Sequence, residues 1–219
     1  MAWTRTDIAN RALGVLGVKE VISDVDADTT TEAKAVRAVF DLASESLLSE
    51  FDWPMARRLE EMSLVAGTSS AAYSDDYQYA YRYATYWMKF LGVSGEDGGI
   101  RAENDKTKID YKTSSDTSGR LILTDQEDAS ADVLVLPEEG LFPAKYVEAL
   151  AILIAMMAGP RLAGATKMAM DLRGFYEAAV SSAKAHAANE EGYSQPSETP
   201  SMIARRGYRG QRSDWGLRT

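Results

Sequence analysis

Hydrophobic positions along the chain follow helical spacing first, then fall into short β-like runs, then return to helical spacing. Ile8, Ala12, Leu13, Val15 and Leu16 predict a first helix, with Thr4 or Thr6 able to cap it and Gly17 placed to stop it. After a loop through Val21 and Ile22, the stretch "DADTTTEAKAVRAVFDLASESLLSEFDWP" predicts a long amphipathic helix. Thr29 and Glu32 match a capping box, and Val36, Phe40, Ala43, Leu47 and Phe51 form one stripe. Pro54 predicts an end or kink near Asp52, with Trp53 packing sideways into neighbouring structure.

From Met62 to Leu136 the runs are short, rich in Tyr, Val, Ile and Leu, and separated by Gly, Ser, Asp and Asn, which predicts several strands. "SGRLILTDQEDASADVLVLP" reads as two paired strands joined by an acidic loop, Asp125 to Asp132. Thr85 to Leu91 fits a short helix as well as a strand, because Tyr86, Trp87, Phe90 and Leu91 also share a helical face. "PAKYVEALAILIAMMAGPRLAG" is apolar on nearly every side from Val147 to Ala158, the pattern of a helix surrounded by other elements. A last helix is predicted to bury Met168, Leu172, Phe175, Tyr176, Ala179 and Val180, with Gly174 a weak point. Beyond Gly192 there is too little apolar content to build a core.

The expected fold class is α+β, mainly α: a four-helix bundle with an inserted small antiparallel β region and an extended C-terminal arm. The expected divisions are N-terminal bundle helices in residues 1–60, the β-rich insertion in 61–140, C-terminal bundle helices in 141–191 and a basic arm in 192–219.

The chain has 219 residues, 45% of them hydrophobic, which is enough to bury a core without cross-links. No run approaches the roughly 20 apolar residues that span a bilayer, so no membrane partner is expected. Met1 to Asp7 show no secretory apolar region, which predicts synthesis in the cytosol. Zero cysteines exclude disulfides, thiolate metal sites and Cys nucleophiles. The net charge of -9 is unevenly placed. Residues 201–219 hold five arginines against Asp214, a balance of +4, which leaves -13 on the first 200 residues. Such a body repels nucleic acid, whereas the tail has the opposite preference.

Chemistry is sparse. His186 is the sole histidine and sits in the last turns of a helix, which suits a solvent-facing or dipole-complementing role better than catalysis. "GVSGEDGG", Gly92 to Gly99, lacks the ending of a phosphate-binding loop. "DVDADTT", Asp24 to Thr30, lacks the glycine and glutamate of a calcium loop and serves better as a helix lead-in. "DQEDASAD" reads as a solvated hairpin tip. Tyr73, Tyr77, Tyr79, Tyr81, Tyr83, Tyr86 and Trp87 could stack bases, but few cations interleave them, so a packed sheet surface or subunit interface is favoured. No catalytic residue, metal or cofactor is expected. Trp53 and Pro54 mark a structural corner, and Tyr79, Tyr81 and Tyr83 an interface or packed surface.

"DIANRALGVLGVKEVISDVDADTTTEAKAVRAVFDLASESLLSEFDWPMARR" resembles the start of the phage head-to-tail adaptor (connector) family, the group that includes the tail tubular protein A of short-tailed phages. The likeness rests on "NRAL..LG" at Asn10 to Gly17, a loop Ile at Ile22, the second helix at Ala35 to Leu48, and a "WP" corner with basic residues at Trp53 to Arg58. "YQYAYRY", "GRLILTD" and "FPAKYVEALAILIAMMAGPRLAG" extend it in order over most of residues 6–190. The family's Pro and "DC" after the tyrosine strand are replaced here by "ATYWMKF". The resemblance implies a virion protein at the head–tail junction, assembled in the host cytoplasm. It would be a homo-oligomeric ring, commonly of twelve copies, docked on the portal protein, with a tail or neck protein below and genomic DNA passing through without specific binding.

On that footing Arg205, Arg206, Tyr208, Arg209, Arg212 and Trp215 are expected to dock on the portal, since arginine and aromatics are enriched at interface hot spots. Two other readings stand beside it. One is a nucleic-acid-binding module that uses the basic tail. The other is a small helical enzyme with Glu138 or Glu139 acting in a cleft, which the lone histidine and absent motifs disfavour.

Overall fold

The computed structural model describes residues 2–19, 21–66, 76–94, 109–162 and 171–190. Helix α1 (Arg5–Val15) starts in a capping box in which Asp7 takes the place of the usual glutamate. Asp7 N–H donates to Thr4 Oγ1 at 3.1 Å and Thr4 N–H donates to Asp7 Oδ2 at 3.1 Å. These bonds to Thr4 favour the ionised form and hold the Asp7 carboxyl below its usual value. Past the cap at Leu16, Gly17 adopts φ +73°, the left-handed turn that a glycine accepts without strain. The loop that follows is clamped to α1. Asn10 Nδ2 donates to Ile22 O at 2.9 Å while Ile22 N–H donates to Asn10 Oδ1 at 2.8 Å.

Helix α2 (Thr31–Ser49) is capped by Thr30 rather than Thr29, its hydroxyl accepting from Ala33 N–H at 3.3 Å. The shift puts Ala33 three residues past the cap, so Glu32 is out of place for a capping box. Val36, Phe40, Ala43 and Leu47 are buried as the stripe requires. The helix ends at Ser49, before the expected limit at Asp52, because Trp53 supplies what the next turn would have supplied. Its indole Nε1–H donates to Leu47 O at 3.0 Å.

Seven strands follow: β1 (Arg57–Glu61), β2 (Leu64–Ala66), β3 (Tyr79–Arg82), β4 (Trp87–Ser94), β5 (Tyr111–Asp116), β6 (Gly119–Thr124) and β7 (Ser130–Val135). They build two antiparallel sheets with strand orders β1-β7-β4 and β2-β3-β6-β5. Thr85 to Leu91 is therefore not a helix: a turn after Tyr83 leads into β4, which pairs with β7. The expected hairpin between β6 and β7 is also corrected. β6 pairs with β3 and β5, whereas β7 pairs with β1 and β4, so the acidic loop carries the chain from one sheet to the other. Its acids Asp125, Glu127 and Asp128 are exposed, as a solvated loop requires, but it is not a hairpin tip. Tyr81 Oη–H donates to Gln126 O at 2.9 Å and accepts from Ala129 N–H at 3.4 Å, and Asp128 takes a positive φ of 51° where the loop turns.

Helix α3 (Ala144–Ala158) carries alanine at 149, 151, 155 and 158, all fully buried, so neighbours approach it closely. α1, α2 and α4 (Arg173–Glu190) all pack on it. This matches the central position that its all-round apolarity predicts. The four-helix bundle with a small β insertion is nevertheless incorrect. Among the described residues three helices of unequal length surround a fourth, and the β region is two sheets of three and four strands. On α4, Leu172, Val180, Ala183 and Ala187 are buried and Tyr176 and Ala179 pack against the core, but Phe175 is 67% exposed. One residue of phase separates Phe175 from Tyr176, and it is the tyrosine that turns inward. Met168 lies outside the described residues. Among the described residues no helix is long and apolar enough to cross a membrane.

Two hydrophobic clusters result. One lies among the helices, and the other lies between the sheets around Tyr79, Tyr81, Tyr83, Trp87 and Ile122. β7 belongs to both, with Leu134 in the helical cluster and Ala131, Val133 and Val135 in the β cluster. Leu134→Ala should therefore cost ~2–5 kcal/mol. It should lower one common urea midpoint, whether unfolding is followed by near-ultraviolet circular dichroism or by tryptophan fluorescence.

Candidate functional site

The Trp53–Pro54 corner is the most tightly built point of the helical half. Trp53 is 1% exposed and meets Phe51 and Tyr146 edge-on, with ring centroids 5.3 Å and 5.0 Å away. Pro54 opens a single 3₁₀ turn, Pro54–Ala56, that feeds β1. Tyr146 Oη–H points at Ser44 O at 3.4 Å, so two carbonyls near the end of α2, at residues 44 and 47, have partners from outside their helix. Lys89 Nζ donates to Asp52 Oδ1 at 2.6 Å and ties β4 to the same corner.

A shallow groove of about 250 Å³, counting the space open to solvent, lies beside this corner. Trp53, Pro54, Pro143, Tyr146, Ala183 and Ala187 line it, with Lys145, His186 and Glu190 as its charged or titratable groups. The space in it that a water-sized sphere can occupy is only about 10 Å³, far below the roughly 300–1,000 Å³ of ordinary small-molecule sites. His186 is exposed, near the end of α4, with Nδ1 3.4 Å from Glu190 Oε1. No serine, threonine or cysteine lines the groove beside it. Glu138 is exposed and Glu139 half-buried at a 3₁₀ turn, and neither lines this groove.

Tyr79, Tyr81 and Tyr83 all lie inside the chain's own β core, together with Trp87. In register, Tyr79 faces Thr124 and Tyr81 faces Ile122 across β3 and β6. Tyr83 and Trp87 meet edge-on at 5.2 Å, Phe90 sits edge-on to Tyr111 at 5.0 Å, and Arg120 lies 4.1 Å over the Tyr83 ring. These faces are spent on one another, so Tyr79, Tyr81, Tyr83 and Trp87 offer no platform for stacking bases. Tyr86 is exposed, and its hydroxyl donates to Glu60 Oε2 at 2.6 Å beside the Trp87 indole at 2.7 Å. That bond to Glu60 raises the Tyr86 phenol above its ordinary value.

The acidic lead-in to α2 is a scaffold for backbone. Asp24 Oδ1 accepts from Asp26 N–H at 2.9 Å, and Arg37 donates to Val25 O at 2.8 Å and Asp28 O at 2.7 Å. Arg5 lies 4.3 Å over the Phe40 ring and reaches Asp41 at 2.8 Å. Among the described residues no group of three His, Cys, Asp or Glu could hold a metal ion.

Sequence reasoning missed the long-range polar ties. Arg57 grips Asp132 with two nitrogens, and Arg82 grips Asp116 at 2.8 and 3.1 Å, which holds Asp116 below the usual carboxylate range. Glu50 accepts from Tyr176 Oη at 2.6 Å and from Lys184 Nζ at 3.2 Å. Partners 75, 34 and 126 residues apart leave no local signal in the sequence. Arg205, Arg206, Tyr208, Arg209, Arg212 and Trp215 lie outside the described residues, as do Tyr73 and the segment after Ser94 that holds most of "GVSGEDGG".

No family model matches the chain, and no curated protein matches it.

Two outcomes follow from this geometry. Trp53→Phe keeps a ring but removes one of two donors to Leu47 O, leaving the Glu50 N–H at 3.3 Å, at a cost of ~0.5–1.5 kcal/mol in urea unfolding. Trp53→Ala should cost ~3–5 kcal/mol. Burial raises the Tyr146 phenol, and burial followed by the Glu50 carboxylate raises that of Tyr176. Both stay protonated in the folded chain at pH values where the unfolded chain loses those protons. Stability is thus retained below about pH 10, the unfolded tyrosine value, and falls as pH rises past it. Absorbance at 295 nm should show these two tyrosines ionising only together with unfolding.

Proposed function

We propose that this chain is a structural virion protein, a ring-forming head-to-tail adaptor. It docks on the portal, extends the DNA channel and offers a platform to a tail or neck protein. The observation that carries the reading is its charge asymmetry: -13 over the first 200 residues against +4 over the last 19. An anionic wall lets phosphates slide past without forming ion pairs that must then break. A cationic aromatic arm suits capture of an acidic protein surface, with its ordering cost met only on docking.

The ordered resemblance supports the same reading. Its separate pieces touch one another in this chain: Asn10 clamps Ile22, the α2 stripe packs on α3, and Trp53 meets Tyr146. The identity of the ring neighbours rests on the resemblance alone.

Deleting residues 200–219 should leave circular dichroism and Tm of the body unchanged while abolishing co-sedimentation with portal rings, and electron microscopy should show rings only with the full chain. A truncated protein that still assembles on portals sinks the proposal. The competing nucleic-acid tether predicts a duplex-DNA gel shift that needs the tail. With five arginines engaged, log K would fall against log salt with a slope of about -4.5.

A further inference from the structure

Among the described residues four strands end the two sheets, β1 and β4 on one and β2 and β5 on the other. An edge strand offers unpaired N–H and C=O groups to any other chain, and proteins blunt such edges with charges, bulges or shortness. Three of these edges are blunted. In β1, Arg57, Arg58, Glu60 and Glu61 leave Leu59 as the one uncharged residue. β4 shifts register against β7 at two places, and β2 is three residues long with an irregularity of its own. β5 has none of these devices. Tyr111–Asp116 pair with β6 one for one, without proline or bulge, and Lys112, Thr113 and Ser115 are exposed.

The groups on the open side can be named. Arg120 O accepts from Tyr83 N–H at 3.0 Å, so residue 120 of β6 turns its main chain toward β3. Main-chain groups alternate along a strand, so Leu121 and Leu123 turn theirs toward β5, where Ser114 and Lys112 stand opposite them. Tyr111, Thr113 and Ser115 are left with N–H and C=O directed at the open edge.

We propose that β5 is a dimerisation edge whose occupant is β5 of a second copy, running antiparallel across a two-fold axis. Self-pairing must bring outward-directed residues opposite one another, which leaves two central registers. Centred on Thr113, the pairing sets Asp110 against the second copy's Asp116 at both ends, carboxylate facing carboxylate. Centred on Ser114, it sets Lys112 against the second copy's Asp116 at both ends, and Thr113 against Ser115, each such pair exchanging both its hydrogen bonds. Charge selects the second register. Asp116 keeps its Arg82 partner, and the Lys112 ammonium adds to it from across the axis. One antiparallel sheet then runs from β2-β3-β6-β5 into the second copy's β5-β6-β3-β2. A two-fold contact closes at two copies and does not propagate, so this goes beyond the ring reading: it concerns the free chain, in which it covers an edge open to aggregation.

The test uses the full chain, whose lack of cysteine makes an introduced one a clean reporter. Sedimentation equilibrium at tens of micromolar should show a species of twice 24.0 kDa. Lys112→Glu, with circular dichroism as the check on folding, should weaken dimerisation roughly tenfold or more, because two attractions become two repulsions. Lys112→Arg should stay with the parent. Ser114→Cys should give a disulfide-linked dimer on mild oxidation, since the residue stands opposite itself at the ~4.5 Å Cα separation of a non-hydrogen-bonded pair, within disulfide range. Thr113→Cys, placed opposite Ser115, should link far more slowly. A monomer throughout that concentration range, a dimer indifferent to Lys112→Glu, or faster linkage through residue 113 than through residue 114 overturns the proposal. No portal is present in these experiments, so loss of the dimer and loss of the adaptor function are separable results.

Discussion

Burial of β7 on both faces is the constraint on which the rest of the structure depends. Leu134 points into the helical cluster, and Ala131, Val133 and Val135 point into the tyrosine-rich cluster between the sheets. A strand covered on both sides cannot alternate apolar and polar residues, which is why "ADVLVLP" reads as a nearly continuous apolar run. The one charge inside it, Asp132, is gripped by Arg57 of the neighbouring strand. That pairing joins the first strand after the Trp53 corner to the last strand before α3, so both halves close on the same few residues.

On the helical side, α3 does for three helices what β7 does for two sheets. Its buried alanines admit neighbours closely, while Ile152, Leu153, Met156 and Met157 fill the remaining space against them. The end of α2 is completed by side chains that arrive from elsewhere, the Trp53 indole at Leu47 and the Tyr146 phenol at Ser44. At Leu47 O the indole joins the Glu50 N–H, so a carbonyl of the last turn beside a buried aromatic keeps its partners, whereas the Tyr146 phenol adds a second donor at a carbonyl one turn further in.

Helix positions and the core stripe of α2 were legible because they are local: a cap, a period of 3.6 and a stop residue all lie within a few positions of each other. The centrality of α3 was legible for the same reason, since apolarity on every side has one structural meaning. What escaped was pairing. Two apolar runs joined by eight mostly acidic and small residues look like a hairpin, and nothing local shows that Tyr81, more than 40 residues upstream, holds that loop as a bridge between sheets. The same holds for Arg82 with Asp116 and for Glu50 with Tyr176. Phase was the other source of error. Phe175 and Tyr176 are both plausible inward residues, and Glu50 decides between them by offering a partner only to the tyrosine hydroxyl. Of the corner, Trp53 was readable from Pro54 beside it, whereas the groove against α4 needed the fold.

The two-sided strand has a further consequence for folding. Because side chains alternate strictly along a strand, a shift of β7 by one residue would send Leu134 among the tyrosines and Val133 among the helices, spoiling two interiors at once. Register here is checked twice by independent packing surfaces. A chain that has closed both interiors is consequently held to one register by two separate packing tests.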